Sequence, residues 1–216
     1  LKQDPWRFAK INEDFILKYN DEIKVDIFSE EKKIIIQQLS NYGRAIISGK
    51  MIDGWTVLFS GSKKLEPQVS NDYLGLTGCL TLLDIKVKNL EIFSENSTCE
   101  DSVNFIRVTG SVKDLNISNS IQDAVDFDFS NIKIDNVKIM SARNDCLDLS
   151  YGNYEINKVY AKNCGDKAIS IGEKSVALLK KVRIINSNIA IAVKDSSVAS
   201  VENSEIYNSP ICFAAY

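Results

Sequence analysis

The stretch "NDCLDLS", residues 144–150, places two aspartates inside what reads as a β-strand, and the stretch 22 residues before it, "QDAVDFDFS", contains three. The same step of 22 residues from Val103 meets only apolar residues, namely Val125, Leu147, Ile169, Ile191 and Phe213. From Phe105 it meets Phe127, Leu149, Ile171, Val193 and Ala215. Because a fixed period of this length is the signature of a repeat architecture, the chain is expected to form a solenoid.

The kind of solenoid follows from the spacing of the apolar residues within one repeat. The two apolar columns are separated by one residue, which is the alternation of a β-strand with one buried face. Asparagine and glycine punctuate the joints, as in "ISNS" and "AKNCGD". No repeat has room for a helix, and the order of a leucine-rich repeat is absent. We therefore predict an all-β fold, a right-handed parallel β-helix with about 22 residues per rung and about 4.8 Å between rungs.

The two ends of the chain differ from the repeats. Residues 1–30 place Trp6, Phe8, Ile11, Phe15, Ile16 and Tyr19 at roughly helical spacing in a charged segment, and we interpret this segment as an N-terminal cap. We assign residues 31–216 to the β-helix, with strands in "KKIIIQQ", "RAIISG" and "GWTVLFSG". At the other end Tyr216 falls within a strand, so we expect a protein contact through the open C-terminal edge.

Composition excludes several classes of function. The net charge is -3, and Lys and Arg are spread along the chain, so nucleic acid is not an expected partner. No apolar run approaches the roughly 18 residues that span a bilayer, and no membrane span is expected. The absence of histidine excludes Ser-His-Asp and Cys-His nucleophile systems. Five cysteines without CxxC spacing predict mostly free thiols.

Four ordered motifs resemble a known kind of domain. "DAVDFDFS", "NDCLDLS", "GDKAISIGEKS" and "IAVKDSS", preceded by "CEDSVNFI", resemble successive rungs of a bacterial right-handed β-helix domain. That domain occurs beside CotH-type kinase-like domains and in other envelope or polysaccharide-linked proteins. The resemblance covers about residues 75–216 and implies the fold and an extracellular or cell-envelope setting with a carbohydrate partner. It implies no reaction. The rung that such domains write as "GIASKDSS" reads "IAIAVKDSS" here, which concerns local turn geometry.

The strand aspartates are the first candidate site. If columns 103 and 105 point inward, columns 102, 104 and 106 point outward, and Asp126, Asp128 and Asp148 fall on one surface in adjacent rungs. Like charges at about 5 Å repel, so a proton, a cation such as calcium, or a substrate donor is expected between them. Column 102 holds only small residues, which predicts a flat surface suited to a polymer. We take these three aspartates as candidate catalytic residues.

A second set of candidates lies beside the aspartates. Lys167, Glu173, Lys194, Asp195 and Tyr151 are candidate substrate-binding residues. The four charged members could equally form a salt-bridge ladder between rungs. Asp123, Asp145 and Asp166 precede strands, where aspartate commonly bonds the backbone of its own turn. No metal ligands are assigned.

Two functions remain open at this point. One is a carbohydrate-binding or cell-envelope scaffold that presents an acidic strand face. The other is a polysaccharide-active enzyme. An inverting hydrolase would need carboxyl groups about 6.5–9.5 Å apart, a range that Asp126 and Asp128 approach. A lyase or epimerase would need a charge neutraliser and a base, for which Lys167 or Lys194 and a calcium ion would serve. Short turns that build no groove wall favour the scaffold.

Overall fold

The computed structural model describes residues 6–61 and 75–216, and within these ranges the chain is all β, with no helix. Twenty strands follow one another along the chain. They are β1 (Arg7–Lys10), β2 (Phe15–Tyr19), β3 (Ile23–Phe28), β4 (Lys33–Gln38), β5 (Ala45–Gly49), β6 (Met51–Asp53), β7 (Thr56–Ser60), β8 (Gly78–Leu83), β9 (Lys86–Glu95), β10 (Asp101–Ile106), β11 (Thr109–Ser120), β12 (Asp123–Asp128), β13 (Asn131–Ala142), β14 (Leu147–Ser150), β15 (Asn153–Gly172), β16 (Val176–Leu179), β17 (Val182–Val193), β18 (Val198–Val201), β19 (Ser204–Tyr207) and β20 (Ile211–Ala215).

The strands stack in three parallel ladders, which makes the molecule a parallel β-solenoid. Ladder 1 contains β5, β8, β10, β12, β14, residues 167–172 of β15, residues 189–193 of β17, and β20. Ladder 2 begins with β6 and ends with β18, and ladder 3 begins with β4 and ends with β19. The long strands, such as β15, bend at a corner and contribute to more than one ladder. The eight members of ladder 1 correspond to about eight rungs.

The register of ladder 1 confirms the predicted repeat. Val103 pairs with Val125, and the pairing continues through Leu147, Ile169, Ile191 and Phe213 in steps of 22 residues. The column that begins at Phe105 pairs in the same way. The Val103 column is buried as far as Ile191 and the Phe105 column as far as Ile171, and the rings of Phe105 and Phe127 stack with centroids 4.4 Å apart. In the last rung Phe213 is 56% exposed.

The first strands pair differently from the rest. β1 pairs antiparallel with β2, β2 with β5, and β3 with β4, whereas parallel pairing begins with β4 and β5. The helical spacing seen near the N-terminus is therefore a wrong indication of local structure, because Phe15 and Leu17 alternate inward on a strand. Residues 1–5 of the predicted cap segment lie outside the described residues. The capping role, the boundary at residue 31 and the right-handed sense of the coil stay predictions.

The corner between ladders 1 and 2 begins with the same backbone conformation in six rungs. Its first residue has a positive φ between 49° and 53° in all six: Asp84, Arg107, Phe129, Tyr151, Glu173 and Asp195. Five of the six side chains are exposed and that of Glu173 is partly exposed, and L-residues adopt this conformation only when the neighbouring structure requires it. The corner therefore fixes where these six side chains stand.

Two disulfides overturn the expectation of mostly free thiols. Cys79 bonds Cys99, and Cys146 bonds Cys164, which leaves Cys212 as the free, exposed cysteine. The sequence separations are 20 and 18 residues, just under one rung, so the two members of each pair come to adjacent positions of the coil. Each bond closes a loop of nearly one rung, which restricts the unfolded chain.

Column 102 also differs from its prediction. Its members up to the seventh rung are fully buried: Ser102, Ala124, Cys146, Ala168 and Ala190. The pairing between β10 and β12 passes from Asp101 directly to Val103, so the alternation of the strand is interrupted at residue 102. Two members show that the column faces the interior, since Cys146 bonds Cys164 and the Ser102 hydroxyl hydrogen-bonds that of Ser94. The small residues do not form a flat outer surface.

Candidate functional site

Aspartates at the start of the ladder 1 strands connect successive rungs. Asp123 Oδ1 accepts a hydrogen bond from the backbone N–H of Asp145 at 2.7 Å, and Asp145 Oδ1 accepts one from the N–H of Lys167 at 2.9 Å. These carboxylates bond the next rung, and not their own turn as the sequence suggested. Asp166 instead contacts the ammonium of Lys167. This part of the acidic surface is therefore architecture.

The three strand aspartates form a second group beside the first. Asp126 pairs in register with Asp148, and Asp128 follows Asp126 on the same strand face. All three are partly exposed. Asn104, one rung earlier, donates from Nδ2 to Asp126 Oδ2 at 3.0 Å and to Asp101 Oδ2 at 3.2 Å. The structure thus brings the predicted catalytic residues together and adds Asn104 and Asp101 to them.

Burial raises the pKa of every carboxyl in this group. It raises the pKa of Asp148 to about 6, against the opposing charge of Lys194. The pKa of Asp126 lies well above its ordinary value because of burial and then the negative charges of Asp101, Asp128 and Asp148. Burial also raises the pKa of Asp128, although hydrogen bonds from Asn104 and Asp126 oppose it.

The aspartates that connect the rungs share this behaviour. Burial raises the pKa of Asp123 to about 7 and that of Asp101 to about 6. It also raises the pKa of Asp145, although Lys167 opposes the change. Clusters of carboxyl groups whose pKa values lie near neutral pH are a feature of functional sites, and also of structural networks.

The column of Asp126 and Asp148 contains oxygen atoms whose hydrogen-bonding capacity is not used. Among the described residues, four buried oxygens of this column lack a hydrogen-bond partner: Thr81 Oγ1, Asn104 Oδ1, Asp148 Oδ1 and Ser170 Oγ. Asn104 is only 1% exposed, and its amide lies between Asp101 and Asp126. A buried polar atom without a partner has a free-energy cost, so these oxygens require an explanation.

An aromatic pair stands at the corner next to the carboxylates. The rings of Phe129 and Tyr151 stack with centroids 4.7 Å apart and an angle of 9° between planes. Both are about half exposed, 51% and 50%. They directly follow Asp128 and Ser150, so the apolar rings flank the carboxylates on the outer surface. Sequence analysis identified Tyr151 and missed Phe129.

The other predicted binding residues are distributed around the later rungs. Lys167 bonds Asp145 and Asp166, so it belongs to the connecting aspartates. Glu173 Oε2 accepts a hydrogen bond from Ser150 Oγ at 2.6 Å. Lys194 and Asp195 lie over Gly172, where an added Cβ would stand 2.8 Å from Lys194 Cε and 3.6 Å from Asp195 Oδ2. Within residues 6–61 and 75–216, no ion pair joins Glu173, Lys194 and Asp195 to one another.

No set of three or more Asp, Glu or Cys side chains in the described ranges is placed to coordinate a metal ion, so we do not assign the predicted calcium ion to this surface. A groove of about 500 Å³ lies on ladder 3, lined by Ile35, Leu58, Phe93 and Met140 among others. It contains none of the predicted site residues.

No helix in the described part of the chain is long and apolar enough to cross a membrane.

Comparisons with protein-family profiles, with curated proteins and with solved structures found no match. The fold and the carboxylate group therefore define the class by themselves: a parallel β-solenoid with a carboxylate-rich ladder. The resemblance to domains linked to CotH-type proteins stays an expectation.

Proposed function

We propose that this solenoid binds a carbohydrate on the outer surface of ladder 1. The observation that carries the proposal is the position of the exposed Phe129–Tyr151 pair beside Asp126, Asp128 and Asp148. Aromatic rings pack against the apolar C–H groups of a sugar, and carboxylates accept hydrogen bonds from its hydroxyls. An apolar surface with a few convergent polar groups is the usual composition of a ligand site.

The geometry of the ladder favours a polymeric ligand. Equivalent side chains recur at about 4.8 Å along the axis, so one surface presents repeated contacts to a chain molecule that lies along it. The corner residues hold the rings at fixed positions, so little conformational entropy is lost on binding. A rigid, repetitive surface of this kind suits a scaffold or binding module.

An extracellular or cell-envelope location is part of the proposal. It is supported by the Cys79–Cys99 and Cys146–Cys164 disulfides, since disulfides persist in oxidising compartments and are rare in reducing ones.

A polysaccharide-active enzyme is the second candidate, and the raised pKa values favour it. A carboxyl with a raised pKa is suited to act as a general acid, and burial raises the pKa of Asp126 and, to about 6, that of Asp148, beside partly exposed Asp128. Lys194, next to Asp148, is the cation available to neutralise an acidic sugar.

One preparation of protein tests both candidates. Wild type, Tyr151→Ala, Asp126→Asn and a control, Glu202→Gln at an exposed position, are compared on a glycan array and in a reducing-sugar release assay. The carbohydrate-binding proposal predicts that Tyr151→Ala weakens glycan affinity about tenfold, which corresponds to the loss of one aromatic contact. Sugar release that is lost in Asp126→Asn supports the enzyme. Retained affinity in both site variants contradicts this location for the site.

A further inference from the structure

The carboxylate group on ladder 1 has more negative charge than nearby side chains neutralise. Three successive rungs contribute six aspartates: Asp101, Asp123, Asp126, Asp128, Asp145 and Asp148. Lys167 is already engaged by Asp145 and Asp166. Lys194 acts on Asp148, one rung beyond Asp126. In the described structure, no lysine or arginine forms an ion pair with Asp126 or Asp128, so a ligand that complements this surface is positively charged.

The unused hydrogen-bonding capacity of the same column points to a donor. The side-chain amide of Asn104 donates its hydrogens to Asp101 and Asp126, and its Oδ1 remains a buried acceptor without a partner. Asp148 Oδ1, one rung further along the column, is a second buried acceptor without a partner. An ammonium group has three donors and no acceptor, which matches a set of unused acceptors better than a hydroxyl does.

The chain already places one of its own ammonium groups at this column. Lys194 crosses over Gly172, where the lack of a Cβ leaves room for its side chain, and its charge lowers the pKa of Asp148. Among the residues that the structure describes, no equivalent lysine stands near Asp126, because the residue one rung before Lys194 is Gly172. A ligand ammonium at Asp126 would repeat the arrangement that Lys194 provides near Asp148.

The aromatic pair is compatible with the same ligand. An aromatic ring attracts a cation through the negative charge density of its face. Phe129 and Tyr151 stand beside the carboxylates, so a group that carries both a positive charge and apolar C–H surface would contact both features.

We propose that the carbohydrate bound on ladder 1 is an amino sugar polymer with free, protonated amino groups. This inference rests on the proposed carbohydrate-binding function and specifies its ligand. The ammonium lies between the partly exposed carboxylates of Asp126, Asp128 and Asp148 and donates to them, while the sugar ring packs beside Tyr151.

The test compares two ligands that differ only at the amino group. Affinities are measured by calorimetry for glucosamine oligomers and for N-acetylglucosamine oligomers of equal length, at low and high salt. We expect the free-amine oligomer to bind at least about tenfold tighter and the preference to shrink in high salt, because screening weakens charge pairing. Asp126→Asn and Asp148→Asn should each reduce the preference, whereas Glu202→Gln should keep it.

The failure of this inference is distinguishable from that of the proposed function. Equal affinity for the two oligomers overturns the amino-sugar assignment and leaves carbohydrate binding in place. No affinity for either oligomer, with no response on a wider glycan array, overturns both. A preference that survives in both variants shows that the amine binds elsewhere and overturns this site. Equally tight binding of oligolysine, in competition with the sugar, assigns the surface to basic peptides and overturns the proposal. Melting curves of the variants establish that they are folded.

Discussion

Lys167 meets Asp145 of the preceding rung at two places. The backbone N–H of Lys167 donates to Asp145 Oδ1 at 2.9 Å, and its ammonium donates to Oδ2 at 3.4 Å. The Asp145 side chain is 5% exposed and that of Lys167 is 15% exposed, so this ion pair is more buried than the Lys180–Glu155 pair on ladder 2, whose side chains are 37% and 36% exposed. Water and salt therefore screen it less.

Lys167→Met should lower the free energy of unfolding by about 1–3 kcal/mol, because it leaves the buried carboxylate of Asp145 without its cation while the backbone hydrogen bond persists. The measurement is urea unfolding at low and high salt. Lys181→Met, at an exposed lysine, is the control and should change little. Equal stability of the two variants would mean that the ammonium contributes nothing to the junction.

Stability should increase as the pH falls from about 8 to about 5. The pKa of Asp123 is raised to about 7 and those of Asp101 and Asp148 to about 6, all from an ordinary value of 3.8. The folded state therefore binds protons more strongly than the unfolded chain. Each group contributes its full stability below pH 3.8 and loses it as the pH rises through the folded pKa. Melting temperatures recorded across this range check the sign, and Asp123→Asn should flatten the slope. A melting temperature that falls from pH 8 to pH 5 contradicts the burial of these carboxyls.

Removing the negative charge of Asp126 should stabilise the unliganded protein at pH 8. Its carboxyl is held beside Asp101, Asp128 and Asp148 at a cost in desolvation and repulsion, so Asp126→Asn should gain about 1 kcal/mol, or about 2–4 °C in Tm for a domain of this size. Asp135→Asn, at an exposed corner, is the matched control. A lower Tm for Asp126→Asn would assign the carboxylate to the architecture.

Without reductant the denatured protein should contain one reactive thiol per chain, and five after reduction, since two disulfides leave Cys212 free. Replacing Cys146 and Cys164 together by serine should cost about 3 kcal/mol, the entropy of a loop of this length. Thiol titration and thermal unfolding provide the two measurements. Five reactive thiols in unreduced protein would refute the pairing.

Leu147 lies fully buried between Val125 and Ile169, so Leu147→Asp would bury an unpaired charge and should abolish cooperative unfolding. The milder Leu147→Ala should cost about 2–5 kcal/mol. Leu39, which is 51% exposed, provides the control Leu39→Asp, whose melting curve should stay near that of the wild type. An unchanged melting curve for Leu147→Asp would contradict the register.

The register of ladder 1 was predictable because the apolar columns at Val103 and Phe105 repeat without interruption, and a strand in a stacked solenoid pairs with the residue one period away. The grouping of Asp126, Asp128 and Asp148 followed from the same step. Their pairing partner Asn104 was also in the column, but its role depends on which amide atoms are already bonded, and spacing does not encode that.

Other features depended on local departures from regular alternation. Residue 102 turned inward because the strand is interrupted after Asp101, whereas a period of two predicts the opposite direction. The disulfides were missed because the number of cysteines is odd and no CxxC spacing is present. The usable signal was that the members of each pair are separated by slightly less than one period. The N-terminal strands were missed because Phe15 and Leu17 satisfy a strand pattern that the wider helical spacing concealed.

At the corner between ladders 1 and 2, the side chain can change without loss of stability. Six rungs use the same positive φ there, yet the residues are as different as Asp84, Arg107, Phe129 and Tyr151. The position tolerates this variety because its side chain stands outside the core. The corner is thus a row of fixed, exposed side-chain positions at rung spacing. Evolution or a protein engineer could change the ligand preference of the solenoid one position at a time, without repacking its interior.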